Sequence, residues 1–155
     1  MEVLTKTVIF KLNGQEYGVN INQIRSIERM EEIVPLPQTS DFIKGIINLR
    51  GSVIPIIDLR TRLGMQEEEA TEQTRILVAN VQDINVGLIV DDATDVIDIH
   101  EDITEDAPEL VKGVDYQYLK GVAKYEGRGL ILLLDLDHVL NHEEIEEVKE
   151  VTEEE

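Results

Sequence analysis

The stretch Phe42-Ile43-Lys44-Gly45-Ile46-Ile47-Asn48-Leu49-Arg50-Gly51-Ser52-Val53-Ile54-Pro55-Ile56-Ile57-Asp58-Leu59, continuing through Arg60-Thr61-Arg62-Leu63-Gly64, decides the fold. Two apolar β-type runs, Ile46–Leu49 and Val53–Ile57, flank the polar turn Arg50-Gly51-Ser52. That pattern reads as a β-hairpin whose glycine supplies the turn geometry. Asp58 closes the second strand and can cap a short helix through Leu63, with Gly64 as its stop. Lys44, Arg50, Arg60 and Arg62 make this stretch a basic island in a chain of formal charge −19. Such an island points to a chosen contact or to scatter.

The plan recurs. Tyr118-Leu119-Lys120-Gly121-Val122-Ala123, the turn Gly127-Arg128-Gly129, the run Leu130–Leu134 and then Asp135-Leu136 repeat it in order. The N-terminal half supplies Val8–Leu12, a hairpin turn at Asn13-Gly14 and a return strand Glu16–Ile21. Arg75–Val81 and Asn85–Val90 repeat that pair, joined at Gln82-Asp83-Ile84. Gly18 matches Gly87 at an offset of 69, and Gly45 matches Gly121 at 76. The difference is extra loop within Ile103–Asp115. Asn22 is expected to cap a short helical or bent segment, Gln23–Ile27, with Ile24 and Ile27 one helical step apart. Asp91–Ile99 resembles that segment. Pro37 marks Val34–Pro37 as an edge or loop. Short strands with glycine turns and no long 3.6-period helix predict two homologous small β-barrels packed on each other.

Composition narrows the chemistry. The 155 residues include no Cys and no Trp, two Phe and four Tyr, so the core is built from Ile, Val and Leu. No disulfide, thiolate nucleophile or Cys-based zinc site is possible. No run approaches the ~20 apolar residues of a membrane span, and Met1–Lys6 lacks a signal-peptide core, so a cytoplasmic location is expected. The acidic balance argues against nucleic acid and against an anionic membrane surface. Asp91-Asp92, Glu101-Asp102 and Glu105-Asp106 are carboxylate pairs that read as solvated loop acids. His138 and His142, four residues apart, could share a helix face as metal ligands, or stand as helix-end histidines beside acids. No Gly-x-Ser-x-Gly, Walker or dinucleotide glycine pattern occurs. The tail Glu143–Glu155 holds eight acids, and only Ile145, Val148 and Val151 interrupt it at regular spacing. It reads as a frayed helix running into a disordered acidic end, whose removal after His142 should cost less than about 1 kcal/mol.

Phe42-Ile43-Lys44-Gly45, Asn48-Leu49-Arg50-Gly51 and Val53 to Leu59 resemble the CheW family of bacterial chemotaxis coupling proteins. Glu16 to Ile21, Val86 to Asp91 and Tyr118 to Gly121 fit the same pattern, so the resemblance runs from Val8 to about Asn141. It implies a mainly β fold of two pseudo-repeated five-stranded SH3-like barrels on a shared core, with short helices at the Asp-Leu segments and at the C-terminus. It implies one CheW-like domain over residues 1–155 with interleaved barrel subdomains and an acidic tail from about residue 143. The implied role is a non-enzymatic adaptor, without cofactor or metal, joining chemoreceptor tips to the regulatory domain of the CheA histidine kinase at membrane-associated arrays. By motif position, the receptor side falls on Ile21, Ile24, Ile27 and Arg50. The kinase side falls on Val34, Leu36, Phe42 and Gly45, with a second contact at Glu109 and Leu110. The length suits a free-standing coupler. A small acidic metal-binding protein or hydrolase using His138, His142 and nearby acids is the alternative.

Overall fold

Each apolar run pairs with its neighbour across a tight turn. In the computed structural model, which describes residues 4–37, 40–106 and 118–153, β1 (Leu4–Leu12) turns at Asn13-Gly14 into β2 (Gln15–Asn20). A single 3-10 turn, Ile21–Gln23, leads to β3 (Ile24–Arg29). β4 (Ile43–Leu49) and β5 (Ser52–Asp58) form the central hairpin, followed by α1 (Leu59–Arg62). β6 (Arg75–Val81) and β7 (Ile84–Val90) pair next, and β8 (Asp92–His100) follows. A 3-10 turn at Glu101–Ile103 precedes β9 (Thr104–Asp106). β10 (Leu119–Tyr125) and β11 (Gly129–Leu134) repeat the central hairpin, and α2 (His142–Glu153) ends the fold.

The strands form two sheets, ordered β8-β1-β2-β11-β10-β9 and β3-β6-β7-β5-β4. The repeat read from the sequence is present, but it is not the sheet. Each sheet takes an N-type hairpin from one half and a Lys-Gly hairpin from the other. The joints are parallel pairs: Leu133 sits opposite Gly18, and Ile56 opposite Gly87. Both glycines leave room for a neighbour, since a Cβ at Gly18 would lie 2.6 Å from the Thr7 methyl and one at Gly87 2.5 Å from Ile56 Cδ1. The first sheet curls around Ile9, Ile99, Ala123, Ile131 and Leu133. The second curls around Ile47, Ile54, Ile56, Ile76 and Val78. Between the two lies the largest apolar cluster, with Phe10, Leu12, Ile57, Leu77, Leu88 and Leu134 at its centre.

The recurring motifs have matching structural jobs. In both copies the Lys of Lys-Gly is the extra residue of a β-bulge, opposite Ile56–Ile57 in one and Leu133–Leu134 in the other. The following glycine makes room for a crossing backbone. A Cβ at Gly45 would lie 2.1 Å from the Val34 carbonyl oxygen, and one at Gly121 2.7 Å from that of Glu105. Val34 and Ile46 exchange two backbone hydrogen bonds at 2.9 Å, as an isolated bridge where the other sheet has β9. Asp58 accepts from the Arg60 amide at 3.1 Å, and Asp135 from the Asp137 amide at 3.0 Å. Both are side-chain caps of a short helical turn, as the Asp-Leu pairs predicted.

Two expectations change. The segment over Ile24–Ile27 is a strand, not a helical turn. And the acidic tail is docked. Asn141 and Glu144 form a reciprocal capping box: each side chain accepts from the other's amide, at 2.9 and 2.8 Å. Ile145 is 3% exposed and Val148 fully buried, both in the central cluster. Glu144 pairs with Arg62 at 3.0 Å, and Glu147 accepts from the Ser40 amide and hydroxyl at 2.8 and 2.6 Å. A stripe two residues wide suffices because both residues enter a core that already exists. The side chain of Val151 lies outside the described residues.

Candidate functional site

β3 is an edge strand, and its face is set by a bulge. Ile24 sits opposite Ala79 and Ser26 opposite Val78, so Arg25 is the extra residue. Without a bulge, residues three apart on a strand point to opposite faces. Here the inserted Arg25 puts Ile24 and Ile27 on one face, opposite Ala79 and Leu77 of the central cluster. Ile21 and Ile24 are half-buried against that cluster, whereas Ile27 is 44% exposed. The three isoleucines of the expected receptor side thus run from the 3-10 turn along β3, from half-buried to open.

Arg50 approaches the same strand from the β4–β5 turn. The turn has two central residues, and both adopt the left-handed conformation, Arg50 at φ 51° and Gly51 at φ 89°. That is the twist an antiparallel pair prefers, and the Asn48 carboxamide oxygen accepts the Gly51 amide at 3.0 Å to hold it. The guanidinium reaches Glu28, the residue after Ile27, at 3.3 and 3.4 Å while its side chain stays 72% exposed. Arg50 therefore meets β3 on the face away from the isoleucines, since Glu28 lies across from Ile76 and Ile27 across from Leu77.

The rest of the basic island turns inward, so of the two readings, a chosen contact or scatter, only Arg50 keeps the first. Lys44 pairs with Glu67, Arg62 with Glu144, and Arg60 with Asp91. Arg62 also lies over the Phe42 ring, 5.9 Å from its centroid. Arg60 is the best-held of them. Its Nε donates to Asp91 at 2.7 Å, its Nη2 donates to the other carboxylate oxygen, and Asn13 adds an amide at 2.8 Å. Burial alone would raise the Asp91 carboxyl above its ordinary value, but the hydrogen bonds from Arg60 and Asn13 outweigh it and hold it below. A depressed folded-state value means the contribution is complete above the unfolded carboxylate range, about pH 4, and is lost as pH falls through the lower folded value. Asp91→Asn should thus lower stability by about 1–3 kcal/mol at pH 7. The gap to the parent should narrow as pH falls below the unfolded carboxylate range, about pH 4, measured by urea unfolding at pH 7 and in acid. A gap that does not change with pH would contradict the assignment.

The expected kinase side divides into exposed and buried residues. Val34 is 54% exposed and Leu36 half-buried. Phe42 is 9% exposed and belongs to the central cluster, and Gly45 is buried beneath Val34. Phe42 and Gly45 shape this face by supporting it. Glu109 and Leu110 lie outside the described residues. Residues the sequence reading did not single out, Ser40 and Glu147, fasten the same face to α2.

The metal alternative loses its geometry. His138 ends a 3-10 turn at Leu136–His138 and α2 begins at His142, so the two do not share a helix face. His138 Nδ1 instead meets Asp135 at 2.7 Å. Among the described residues no group of three His, Asp or Glu is placed to hold a metal ion, and no helix is long and apolar enough to cross a membrane.

The comparisons with known proteins agree with this picture. A family model described as CheW-like domain matches residues 6–144. The chain is 42% identical over 138 residues to the chemotaxis protein CheW of Bacillus subtilis (strain 168), covering 89% of this chain and 88% of that one. It is 36% identical over 139 residues to the chemotaxis protein CheW of Rhizobium meliloti (strain 1021), covering 90% and 89%. The crystal structure of the scaffolding protein TtCheW from Thermoanaerobacter tengcongensis superposes with a TM-score of 0.83 at 33% identity, covering 92% of this chain and 97% of that one.

Proposed function

This chain belongs to the CheW family of non-enzymatic chemotaxis coupling adaptors, and from that we propose that it joins transmembrane chemoreceptors to the CheA histidine kinase. The receptor tip docks along Ile21, Ile24 and Ile27 with Arg50 at its flank. The kinase regulatory domain docks on the face built from Val34 and Leu36 over Phe42 and Gly45, with a second contact at Glu109 and Leu110. The protein works in the cytoplasm, at arrays beneath the membrane, and needs no cofactor.

One observation carries the receptor reading. Arg50 holds its guanidinium in solvent on a rigid two-residue turn, anchored to the β3 edge by Glu28, whose chain neighbour Ile27 is open on the other face of that strand. A fixed donor fork on the same sheet edge as an open apolar side chain suits recognition of a carboxylate-bearing partner. The turn itself is shaped by Gly51 and Asn48, so the Arg50 side chain adds to the fold only its pair with Glu28. Arg50→Glu sets a second carboxylate beside the largely buried Glu28 and should lower the melting temperature by about 2–4 °C. Affinity for a purified receptor-tip fragment should fall at least about tenfold, roughly 1.4 kcal/mol, with binding to the kinase regulatory domain unchanged. Two titrations on the same purified variant check this. Equal loss of both, with a melting temperature lowered well beyond this, would make Arg50 a structural residue and end the assignment.

A further inference from the structure

The internal repeat supplies a control for the β3 edge. The bulge that inserts Arg25 between Ile24 and Ser26 has a counterpart on β8, where Ala93 faces Phe10 and Asp95 faces Ile9, with Thr94 as the extra residue. Stepping along both strands, Ile24 corresponds to Ala93, Ile27 to Val96 and Arg29 to Asp98, each at an offset of 69. The apolar centres are alike, with Ile27 44% and Val96 45% exposed. The charges beyond them are not. On β8, Asp98 sits opposite Lys6 and pairs with it at 3.6 Å. On β3, Arg29 sits opposite Arg75. Like charges directly across an antiparallel pair repel. The Arg75 guanidinium donates to the Glu72 and Thr74 carbonyl oxygens, and neither arginine has a carboxylate partner among the described residues. Arg25, exposed at the bulge, is likewise without one.

So one copy of a duplicated edge is electrostatically closed, and the other keeps two facing cations with no carboxylate partner among the described residues, on a chain of charge −19. We propose that Arg29 and Arg75, with Arg25 further along the same strand, form a carboxylate-recognition surface that selects an acidic segment of the partner lying along Ile24 and Ile27. This rests on the receptor reading and specifies it. The docking segment carries an apolar stripe flanked by acids, and β3 rather than the equivalent β8 receives it. Scattered like charge elsewhere on this protein is acidic, so a neutral or basic segment would gain nothing from the pair.

The test compares two variants with the same charge change, one in each of the two equivalent cross-strand pairs, Arg29→Asp in Arg29–Arg75 and Lys6→Glu in Lys6–Asp98. The probe is the purified receptor-tip fragment, titrated at low and at physiological ionic strength. Arg29→Asp reproduces the closed arrangement of β8, so its melting temperature should equal or exceed the parent's. Its affinity for the fragment should nevertheless fall about tenfold, with a weaker dependence on salt. Lys6→Glu should bind within about twofold of the parent. A structural role for Arg29 would lower the melting temperature together with the affinity. The inference is overturned if Arg29→Asp binds within twofold of the parent, or if Lys6→Glu weakens binding equally. If the parent fragment complex forms and Arg50→Glu disrupts it while Arg29→Asp does not, this site alone is wrong. If the parent shows no saturable binding, the receptor reading falls and this inference with it.

Discussion

Gly45→Ala is expected to destabilise the protein by about 4 kcal/mol, close to the limit of what single substitutions do. The new Cβ would lie 2.1 Å from the Val34 carbonyl oxygen and 2.9 Å from Pro35 Cα. Both are backbone atoms, so no rotamer change relieves the overlap. The φ of 144° adds strain for any residue with a side chain. Relief requires the 33–36 segment to lift, which breaks the two Val34–Ile46 hydrogen bonds. Gly87→Ala offers the comparison. There the near atoms are side-chain carbons of Ile56 and Ile76, which can shift, so its cost should be smaller, about 1–2 kcal/mol. Urea unfolding of both variants checks the order. Equal costs would mean the Val34 segment is not locked on Gly45. Because the proposed kinase face stands on this bridge, Gly45→Ala should also weaken kinase-domain binding while the fragment titration for Arg50 stays near the parent value.

Truncation after Leu140 is the second large effect, expected to cost about 3 kcal/mol. It removes the buried Ile145 and Val148, each worth roughly 1.5–3 kcal/mol when fully enclosed. Ordering the helix costs entropy that offsets part of this. The half-buried Arg62 loses Glu144, and Ser40 loses the carboxylate that accepts both its amide and its hydroxyl. The double variant Ile145→Ala with Val148→Ala separates packing from chain length, and should account for most of the loss. A loss below 1 kcal/mol for the truncation would restore the reading of the tail as a frayed end.

The helix was misjudged from the sequence for a definite reason. A hydrophobic stripe is scored by its width, and eight acids around Ile145, Val148 and Val151 make a narrow one. Burial is decided by what the stripe meets. Here it meets the central cluster, which Ile145 and Val148 join, and the acids find Arg62 and Ser40, residues 82 and 107 positions away. The basic island was undecided for the same reason. Clustering in sequence left a chosen contact or scatter open, whereas in the fold Lys44, Arg60 and Arg62 each pair inward with distant acids and Arg50 remains mostly in solvent.

Local order determined a great deal. Alternating apolar runs, the Asn13-Gly14 and Arg50-Gly51 turns, and the Asp58 and Asp135 caps are short-range matters of backbone geometry, and they were legible residue by residue. The duplication was equally legible, from Gly18 with Gly87 and Gly45 with Gly121, because each glycine answers a close approach of another chain segment. What only the tertiary structure decided is which halves share a sheet. The joints are parallel pairings of β2 with β11 and β5 with β7, and the first spans more than a hundred residues. No local pattern distinguishes a hairpin that pairs within its own repeat from one that exchanges. The bulge at Arg25 belongs with these. Ile24 and Ile27 do share a face, as the spacing suggested, but by an inserted residue in a strand rather than by a helical turn. Bulges answer the register demanded by the neighbouring strand, and that register exists only once β6 is in place beside β3.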